Sequence, residues 1–330
     1  MSDSSAKISI IIVNYNGQRW LVDCFKSIVR QKFKQLEVIF VDNHSTDNSL
    51  SIVKKIYPTA KIIKNKSNTG FGLANNLGAK VAKGQFLFFL NTDTKLGPNC
   101  LRELLKQMVS KKIDLAGPKL LDFNDKDFYR GRKLTLDIVG NLSWGKKTTM
   151  IEGCALLIKR EVFNYLGGFE PSFFMYSEDL DLCWRAYLLG FKTELVKTAF
   201  IKHYGGGSSL PTMVGNQKHQ VPVIRRYETE KNTIRMMVKN ATVPHLLLSL
   251  PLIFVLISSE AMLYLFTGQT QAAIYLFRSI NWNIKHLGDT LKLREVIQVT
   301  KAKYSMWPFI AKKITKFEVF KLIGSPNIKV

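Results

Sequence analysis

The stretch Gln85-Phe-Leu-Phe-Phe-Leu-Asn-Thr-Asp-Thr94 decides the fold, because five apolar residues from Phe86 to Leu90 run unbroken into the polar tip Asn91, Thr92 and Asp93. A short apolar run of this kind fits a strand buried on both faces of a parallel sheet. Open α/β sheets bind ligands in the crevice beyond the carboxyl ends of their strands. Two earlier runs end in the same way, Ile8 to Val13 at Asn14 and Leu36 to Val41 at Asp42. Three strand ends thus supply one crevice.

Outward from these runs the pattern alternates. A further strand is predicted at Lys61 to Ile63, and helices at Gln18 to Arg30, Asp47 to Ile56 and Phe71 to Ala82. Alternation with short connections implies a doubly wound, mostly parallel α/β sheet. Another apolar strand is predicted near Ile151 to Lys159, then helices around Glu161 to Leu166 and Glu178 to Leu189. Asp122 to Gly145 is polar and without periodicity, and reads as a loop region over the crevice. The chain divides into an α/β domain over 1–215 and a basic helical region over 216–330.

With 330 residues, 46% of them hydrophobic, the chain can bury a large core. Its 48 lysines and arginines against 25 acidic residues give a formal charge of +23 and call for an anionic partner. Nucleic acid, an anionic membrane surface and a phosphorylated substrate all qualify. No recognised nucleic-acid module and no interleaving of aromatic and basic residues occurs, so no nucleic-acid partner is expected. Cys24, Cys100, Cys154 and Cys183 lie far apart without CxxC spacing, which suits core thiols in a reducing compartment. The early apolar run Ile8 to Val13 is too short for a signal peptide, so the amino-terminal domain is expected in the cytosol.

Val243 to Phe266 is long and apolar enough to cross a bilayer, which takes roughly 20 residues. Pro251 and Glu260 lie within it, and basic residues flank both sides, with Arg225, Arg226, Lys231, Arg235 and Lys239 upstream and Arg278, Lys285, Lys292, Arg294, Lys301 and Lys303 downstream. One crossing needs asymmetric flanks, so symmetric ones favour a re-entrant or interfacial hairpin about residues 243–267 with both ends cytoplasmic. A helix pair packed on the catalytic domain is the other reading.

Five constellations carry chemistry. Asp42 ends its strand before a segment rich in capping residues, where a carboxylate can accept the imide N–H of a pyrimidine base; helix capping, the alternative, suits Asp47 better. Asn68-Thr-Gly70-Phe-Gly-Leu-Ala-Asn75-Asn76 opens a helix whose amino terminus suits an anion, with glycine letting backbone approach a ligand. Asp93 in an oxygen-rich tip suits Mg²⁺ or Mn²⁺ bridging two phosphates, although Asn, Thr and Asp are also ordinary turn residues. Glu178, Asp179 and Asp181 fill the first turn of a helix, where the dipole favours them or where burial tunes one as a general base. His203 borders a glycine-rich loop and can complete a metal site or contact a diphosphate.

Together these segments resemble the family 2 glycosyltransferases of GT-A fold over roughly residues 6 to 210. The resemblance rests on ISIIIVNYNG at Ile8 to Gly17, VDNHSTDNS at Val41 to Ser49, NTGFGLANN at Asn68 to Asn76, LNTD at Leu90 to Asp93, GCALLIKREVF at Gly153 to Phe163, and the pair Glu178-Asp179. Asn91 in the metal tripeptide and the segment FMYSEDLDLCWR are most similar to bacterial rhamnosyltransferase-type members. The resemblance implies that Asp42 reads the base of a nucleotide-sugar, that Asp93 and His203 serve the metal and diphosphate, and that Asp179 deprotonates the acceptor for inverting displacement. It also places substrate-binding positions at Asn14, Asn68, Gly70, Asn75, Asn91, Glu178, Trp184 and Arg185. The partners it implies are a nucleotide-sugar donor, a glycan or polyprenyl-linked acceptor and an anionic membrane surface, with Mn²⁺ or Mg²⁺ as cofactor. The expected place is the cytoplasmic face of the plasma membrane, peripheral or monotopic. The first acidic position of the tripeptide is Asn91 here, and the processive Gln-x-x-Arg-Trp signature is missing. An inactive nucleotide-sugar-binding scaffold and a nucleotidyltransferase are the competing readings.

Overall fold

A computed structural model describes residues 7–128, 131–204 and 223–298. The described residues fall into two compact units, one within Met1–Arg132, Ile151–Phe174 and Phe191–Pro211, the other within Lys133–Met150, Met175–Gly190 and Thr212–Val330. The division expected at 215/216 lies outside the described residues. The second unit takes in residues 133–150 and 175–190, which the sequence reading assigned to the first domain.

Strands are numbered along the chain: β1 Ile8–Asn14, β2 Leu36–Asp42, β3 Lys61–Lys64, β4 Phe86–Leu90, β5 Thr94–Leu96, β6 Leu115–Leu121, β7 Lys133–Leu136, β8 Leu142–Gly145, β9 Ala155–Lys159 and β10 Thr193–His203. In the first unit eight of them form one sheet in the order β3-β2-β1-β4-β9-β6-β10-β5. β2 pairs in parallel with β1 and β3, β1 with β4, and β6 with β10. β9 runs antiparallel to both β4 and β6, and β5 antiparallel to β10. The sheet is therefore mixed, with six strands pointing one way and β5 and β9 running against them. An apolar run buried on both faces reads the same in either direction, so the pattern of β9 could not reveal its reversal.

Because β9 is antiparallel to both neighbours, β6 and β10 point the same way as β1, β2 and β4. Their carboxyl ends share one edge. Helices α1 Gln18–Val29, α2 Ser49–Ile56, α3 Phe71–Val81, α4 Cys100–Ser110 and α5 Arg160–Tyr165 connect or flank these strands. α1 buries Leu21, Cys24, Phe25 and Ile28, and α4 buries Leu101, Leu104, Leu105 and Met108, spacings of three and four that place one face on the sheet. Gly78 of α3 lies so close to the sheet that a Cβ there would meet Ile11 Cγ2 at 2.5 Å. All four cysteines are buried, as their scattered spacing suggested.

The second unit holds α6 Glu178–Leu188, α7 Val223–Asn240, α8 Val243–Phe266, α9 Thr270–Lys285, α10 Leu287–Gln298 and the hairpin β7–β8. That hairpin corrects the loop expected over residues 122–145. Leu134 and Leu136 are buried, and the connection is set by Asp137 Oδ1, which accepts the N–H groups of Val139 and Asn141, with Gly140 at φ +84°. Two strands of four residues were too short for period-two alternation to stand out.

α8 continues through Pro251 as one helix. It packs against α9 and α7, with Glu260 bonded to Arg226 of α7, while Leu247, Phe254, Val255 and Phe266 stay exposed. By length and composition it could cross a membrane, yet the side carrying Glu260 faces an ion pair.

Candidate active site

The shared strand edge of the first unit collects the polar residues foreseen there. Asn14 is buried; its Nδ2 donates to Ser45 Oγ at 2.9 Å, and its carbonyl accepts Asn43 N–H at 2.7 Å. A Cβ on Gly17 would fall 2.4 Å from Asn14 Oδ1 and 3.3 Å from Thr92 Oγ1, so a residue without a side chain lets the tip after β4 close on the end of β1. Asp42 is buried beside them, its Oδ1 accepting Ser45 N–H at 3.3 Å. Asp47 lies one residue before the Asn48 N-cap of α2, its Oδ1 accepting Ser49 N–H at 3.1 Å and its Oδ2 accepting Gln18 N–H at 3.0 Å, so it braces the turn into the helix without being the cap.

Asn43 was not singled out from sequence, yet it organises this corner. Its Oδ1 accepts from Asn65 Nδ2, Thr69 N and Thr69 Oγ1, and its Nδ2 donates to Asn68 Oδ1 and Gly70 O, all within 3.1 Å. The bonds tie the end of β2 to the turn before α3. Asn68 Oδ1 also accepts Gly70 N–H, so Asn68 is part of that turn. Gly70 sits at φ +83°, and a Cβ there would meet Phe174 O at 2.2 Å; Phe71 N–H donates to the same oxygen at 2.8 Å. The close approach foreseen for a ligand is therefore made by the chain's own backbone at Phe174. Asn75 Nδ2 donates to Phe71 O within its own helix, and Asn76 clasps the N–H and carbonyl of Phe169.

After β4, Asn91 N–H donates to Cys154 O at 2.9 Å and Asn91 O accepts Thr94 Oγ1 at 2.6 Å, which fixes the tip and leaves the Asn91 side chain half-buried. Asp93 is 1% exposed, and its carbonyl accepts Tyr204 N–H at 3.1 Å. The pairing of Thr94 with His203 in the β5–β10 ladder brings His203 Nε2 to 3.4 Å from Asp93 Oδ1. Burial works against charge on the imidazole, but Cys154 and Asp93 beside it outweigh burial and push its pKa up to about 11. Next to His203, the Tyr204 ring stacks on Phe123 with centroids 3.5 Å apart and lies tilted 4.0 Å from Trp20, over which the Arg19 guanidinium sits.

The Asp93 carboxylate is the oxygen donor that suits Mn²⁺ or Mg²⁺, and His203, whose pKa is raised, can add a nitrogen once a bound ion displaces its proton. Among the described residues no cluster of three or more His, Cys, Asp or Glu side chains suitable for a metal occurs. The pair fits an ion that takes its remaining ligands from substrate oxygens and water, and Asp93 and His203 are the residues that would hold it.

The second unit carries the acidic helix α6. Two consecutive residues before it, Tyr176 and Ser177, are left-handed at φ +71° and +65°. Glu178 is 7% exposed, and burial first, then the neighbouring Asp179, push its pKa up to about 8. Asp179 is less buried, with Oδ1 accepting Leu180 N–H at 2.8 Å. Asp181 is fully buried; burial alone would raise its pKa, but Arg185 and Lys239 outweigh it and hold it down to about 2. Trp184 and Arg185 were expected to touch substrate. Instead Trp184 is buried with its ring 6.1 Å from His245, and Arg185 is paired with Asp181 at 2.8 Å, so both have packing and ion-pair roles. The sequence showed their nearness to the acidic pair but not the inward direction of their side chains.

Glu178 makes stability depend on pH. A carboxyl whose folded pKa lies above its unfolded value holds an extra proton only in the folded state, so its stabilising effect is full below the ordinary glutamate range and is lost as pH rises through about 8. The melting temperature of the native protein is expected to fall from pH 6 to pH 9 more steeply than that of Glu178→Gln. Parallel curves would show that Glu178 titrates normally.

Residues 9–167, just under half of the chain, match the family model described as Glycosyl transferase family 2. The chain is similar to the glycosyltransferase GlyG of Streptococcus pneumoniae, 28% identical over 177 residues, covering 48% of this chain and 59% of that protein. It is 32% identical over 126 residues to the poly(ribitol-phosphate) beta-glucosyltransferase of Bacillus spizizenii, covering 36% of this chain and 20% of that protein. The matches therefore span three fifths or less of these relatives. Among solved structures, the mannosyltransferase PcManGT from Pyrobaculum calidifontis, in complex with GDP-Man and Mn²⁺, superposes with a TM-score of 0.55 at 15% identity, covering 87% of this chain and 89% of that one. TarS 1–349 of S. aureus in complex with UDP gives 0.52 at 18%, covering 72% and 67%. At these identities the structural likeness establishes the GT-A-like fold.

Proposed function

We propose that this protein is an inverting, metal-dependent glycosyltransferase that moves a sugar from a nucleoside-diphosphate sugar to a hydroxyl of a glycan or polyprenyl-linked acceptor during bacterial surface polysaccharide synthesis. The observation that carries this reading is the buried Asp93–His203 pair at the strand edge that also carries Asp42 and Asn14. Asp42 accepts a hydrogen bond from the donor's base, and Asp93 with His203 holds the end of the donor that bears the diphosphate. When bound there, a divalent cation supplies Lewis-acid stabilisation of the charge developing on the leaving diphosphate. Asp179 takes the proton from the acceptor hydroxyl as its oxygen bonds to the anomeric carbon, and the electron pair of the breaking C–O bond leaves on the diphosphate. The resemblance in the first turn of α6 supports that role.

The donor is a UDP-sugar or dTDP-rhamnose; a solved relative in complex with UDP favours the former class, and the similarity of FMYSEDLDLCWR to rhamnosyltransferase-type members favours the latter. Full-length protein with Mn²⁺, a lipid-linked acceptor and a panel of UDP-, dTDP- and GDP-sugars is expected to release nucleoside diphosphate from one donor and give product of inverted anomeric configuration. Pyrophosphate released from a nucleoside triphosphate would favour the nucleotidyltransferase reading, and binding without turnover the scaffold.

We further place the protein at an anionic cytoplasmic membrane face. The exposed apolar residues of α8 and α9, among them Leu247, Phe254, Phe266, Phe277 and Ile284, support attachment to one leaflet, since the Glu260–Arg226 pair keeps the opposite side of α8 against a polar helix. The protein is expected to float with vesicles containing anionic lipid and to be released by detergent. Release by salt alone would show that charge, not insertion, holds it.

A further inference from the structure

The backbone ahead of the acidic pair is held in a conformation that non-glycine residues rarely adopt. Tyr176 and Ser177 are both left-handed, and such residues persist only where their surroundings enforce them. The enforcing group is on α7. Asn232, 0% exposed, donates from Nδ2 to Met175 O at 2.9 Å and to Tyr176 O at 2.8 Å. One amide thus grips two successive carbonyls of the turn, which the next three residues, Ser177, Glu178 and Asp179, continue into α6.

The grip has support on both sides. α7 is tied to α9 next to Asn232, where Asn283 Nδ2 donates to Lys231 O at 2.9 Å. α6 is tied to α7 by Lys239 Nζ and Asn240 Nδ2, each 2.8 Å from Asp181 Oδ1. The Arg225 guanidinium lies 5.2 Å over the Tyr176 ring. These bonds fix the axis of α6, and the Asn232 bonds fix how the chain enters it.

We infer that Asn232 is a positioning residue, which by clamping the left-handed turn at Tyr176–Ser177 sets the direction in which Glu178 and Asp179 project. The carboxyl-terminal helical region then completes the acid–base element of the enzyme in addition to any role in attachment. The inference rests on the reading of Asp179 as the acceptor's base. Sequence offered no signal for it, because Asn232 lies 53 residues from Asp179 in a charged helix with no motif around it.

A double-mutant cycle on full-length protein tests it, with Asn232→Ala, Asn232→Ser, Asp179→Asn and the Asn232→Ala/Asp179→Asn pair. Asn232→Ala is expected to lower kcat about 10- to 100-fold, the scale of a misplaced reacting group. Donor KM and the Mn²⁺-dependent stabilisation by nucleotide should change less than about threefold. Asn232→Ser, which keeps one donor, should fall between wild type and alanine, and provides the readout if the alanine protein does not fold. In the Asp179→Asn background, Asn232→Ala should cause little further loss, because a residue acting through Asp179 has nothing left to position. Equal losses in both backgrounds, or wild-type kcat in a folded Asn232→Ala protein, would overturn the proposal. Undiminished turnover by Asp179→Asn alone would instead remove the base assignment on which it stands.

Discussion

Asp93→Asn is expected to lower sugar transfer by about a thousandfold and to abolish the Mn²⁺ dependence of nucleotide binding. The substitution keeps the size of a side chain that is 1% exposed at the tip after β4, and removes its charge. His203 is left as the single charged or metal-binding partner of the pair. Losing one preorganised group that stabilises transition-state charge costs about 10²- to 10³-fold. Here the loss should reach the top of that range, because no cluster of three candidate ligands exists among the described residues to compensate. Steady-state release of nucleoside diphosphate, with circular dichroism to confirm folding, checks it. Activity within tenfold of wild type would show that Asp93 is a turn residue and that the diphosphate is held elsewhere.

Asp179→Asn is expected to cost about 10²- to 10⁴-fold in kcat while donor binding survives. The amide preserves the shape of the first turn of α6 and cannot take a proton. The Mn²⁺-dependent stabilisation by nucleotide should therefore stay near wild type, in contrast to Asp93→Asn. Glu178→Gln provides the comparison next door. Burial and the neighbouring Asp179 push its carboxyl up from the ordinary glutamate range, which favours its protonated form and makes it the weaker candidate to accept the acceptor's proton. Rate loss confined to Glu178→Gln, with Asp179→Asn active, would exchange the two roles.

The sheet was legible where the chain uses buried apolar runs. β1, β2 and β4 are found within a residue of their expected bounds, because only a strand covered on both faces is written as an unbroken run such as Phe86 to Leu90. What the pattern could not carry was direction: β9 is as apolar as its neighbours, and its reversal follows from the path of the chain between β6 and β9, not from its residues. The hairpin β7–β8 was missed for its brevity, although Asp137 and Gly140 already marked a turn.

In the site, strand ends were readable because three buried apolar runs each stop at a polar residue, and the parallel pairing of β1 with β2 and β4 brings those stops to one edge. The meeting of Asp93 with His203, 110 residues apart, was expected through a shared metal and is found through the β5–β10 ladder. Side-chain direction was not readable. Gly70 makes room for Phe174, Arg185 turns to Asp181, and Asn43 and Asn232 spend their amides on backbone turns. Each of these depends on a neighbour distant in the chain, which spacing alone does not identify.

The most direct test of the central claim, that the strand edge around Asp93 binds a nucleoside diphosphate with a divalent cation, is thermal unfolding of the native protein and Asp93→Asn. Each is measured with UDP, dTDP, GDP and CDP, with and without Mn²⁺. A ligand at about 100 times its Kd stabilises the folded state by about 2.7 kcal/mol, enough to read as a shift in melting temperature. The account predicts a Mn²⁺-dependent rise with one nucleotide in the native protein and none in Asp93→Asn. An equal metal-dependent rise in both proteins, or no rise with any nucleotide in a folded sample, would contradict it.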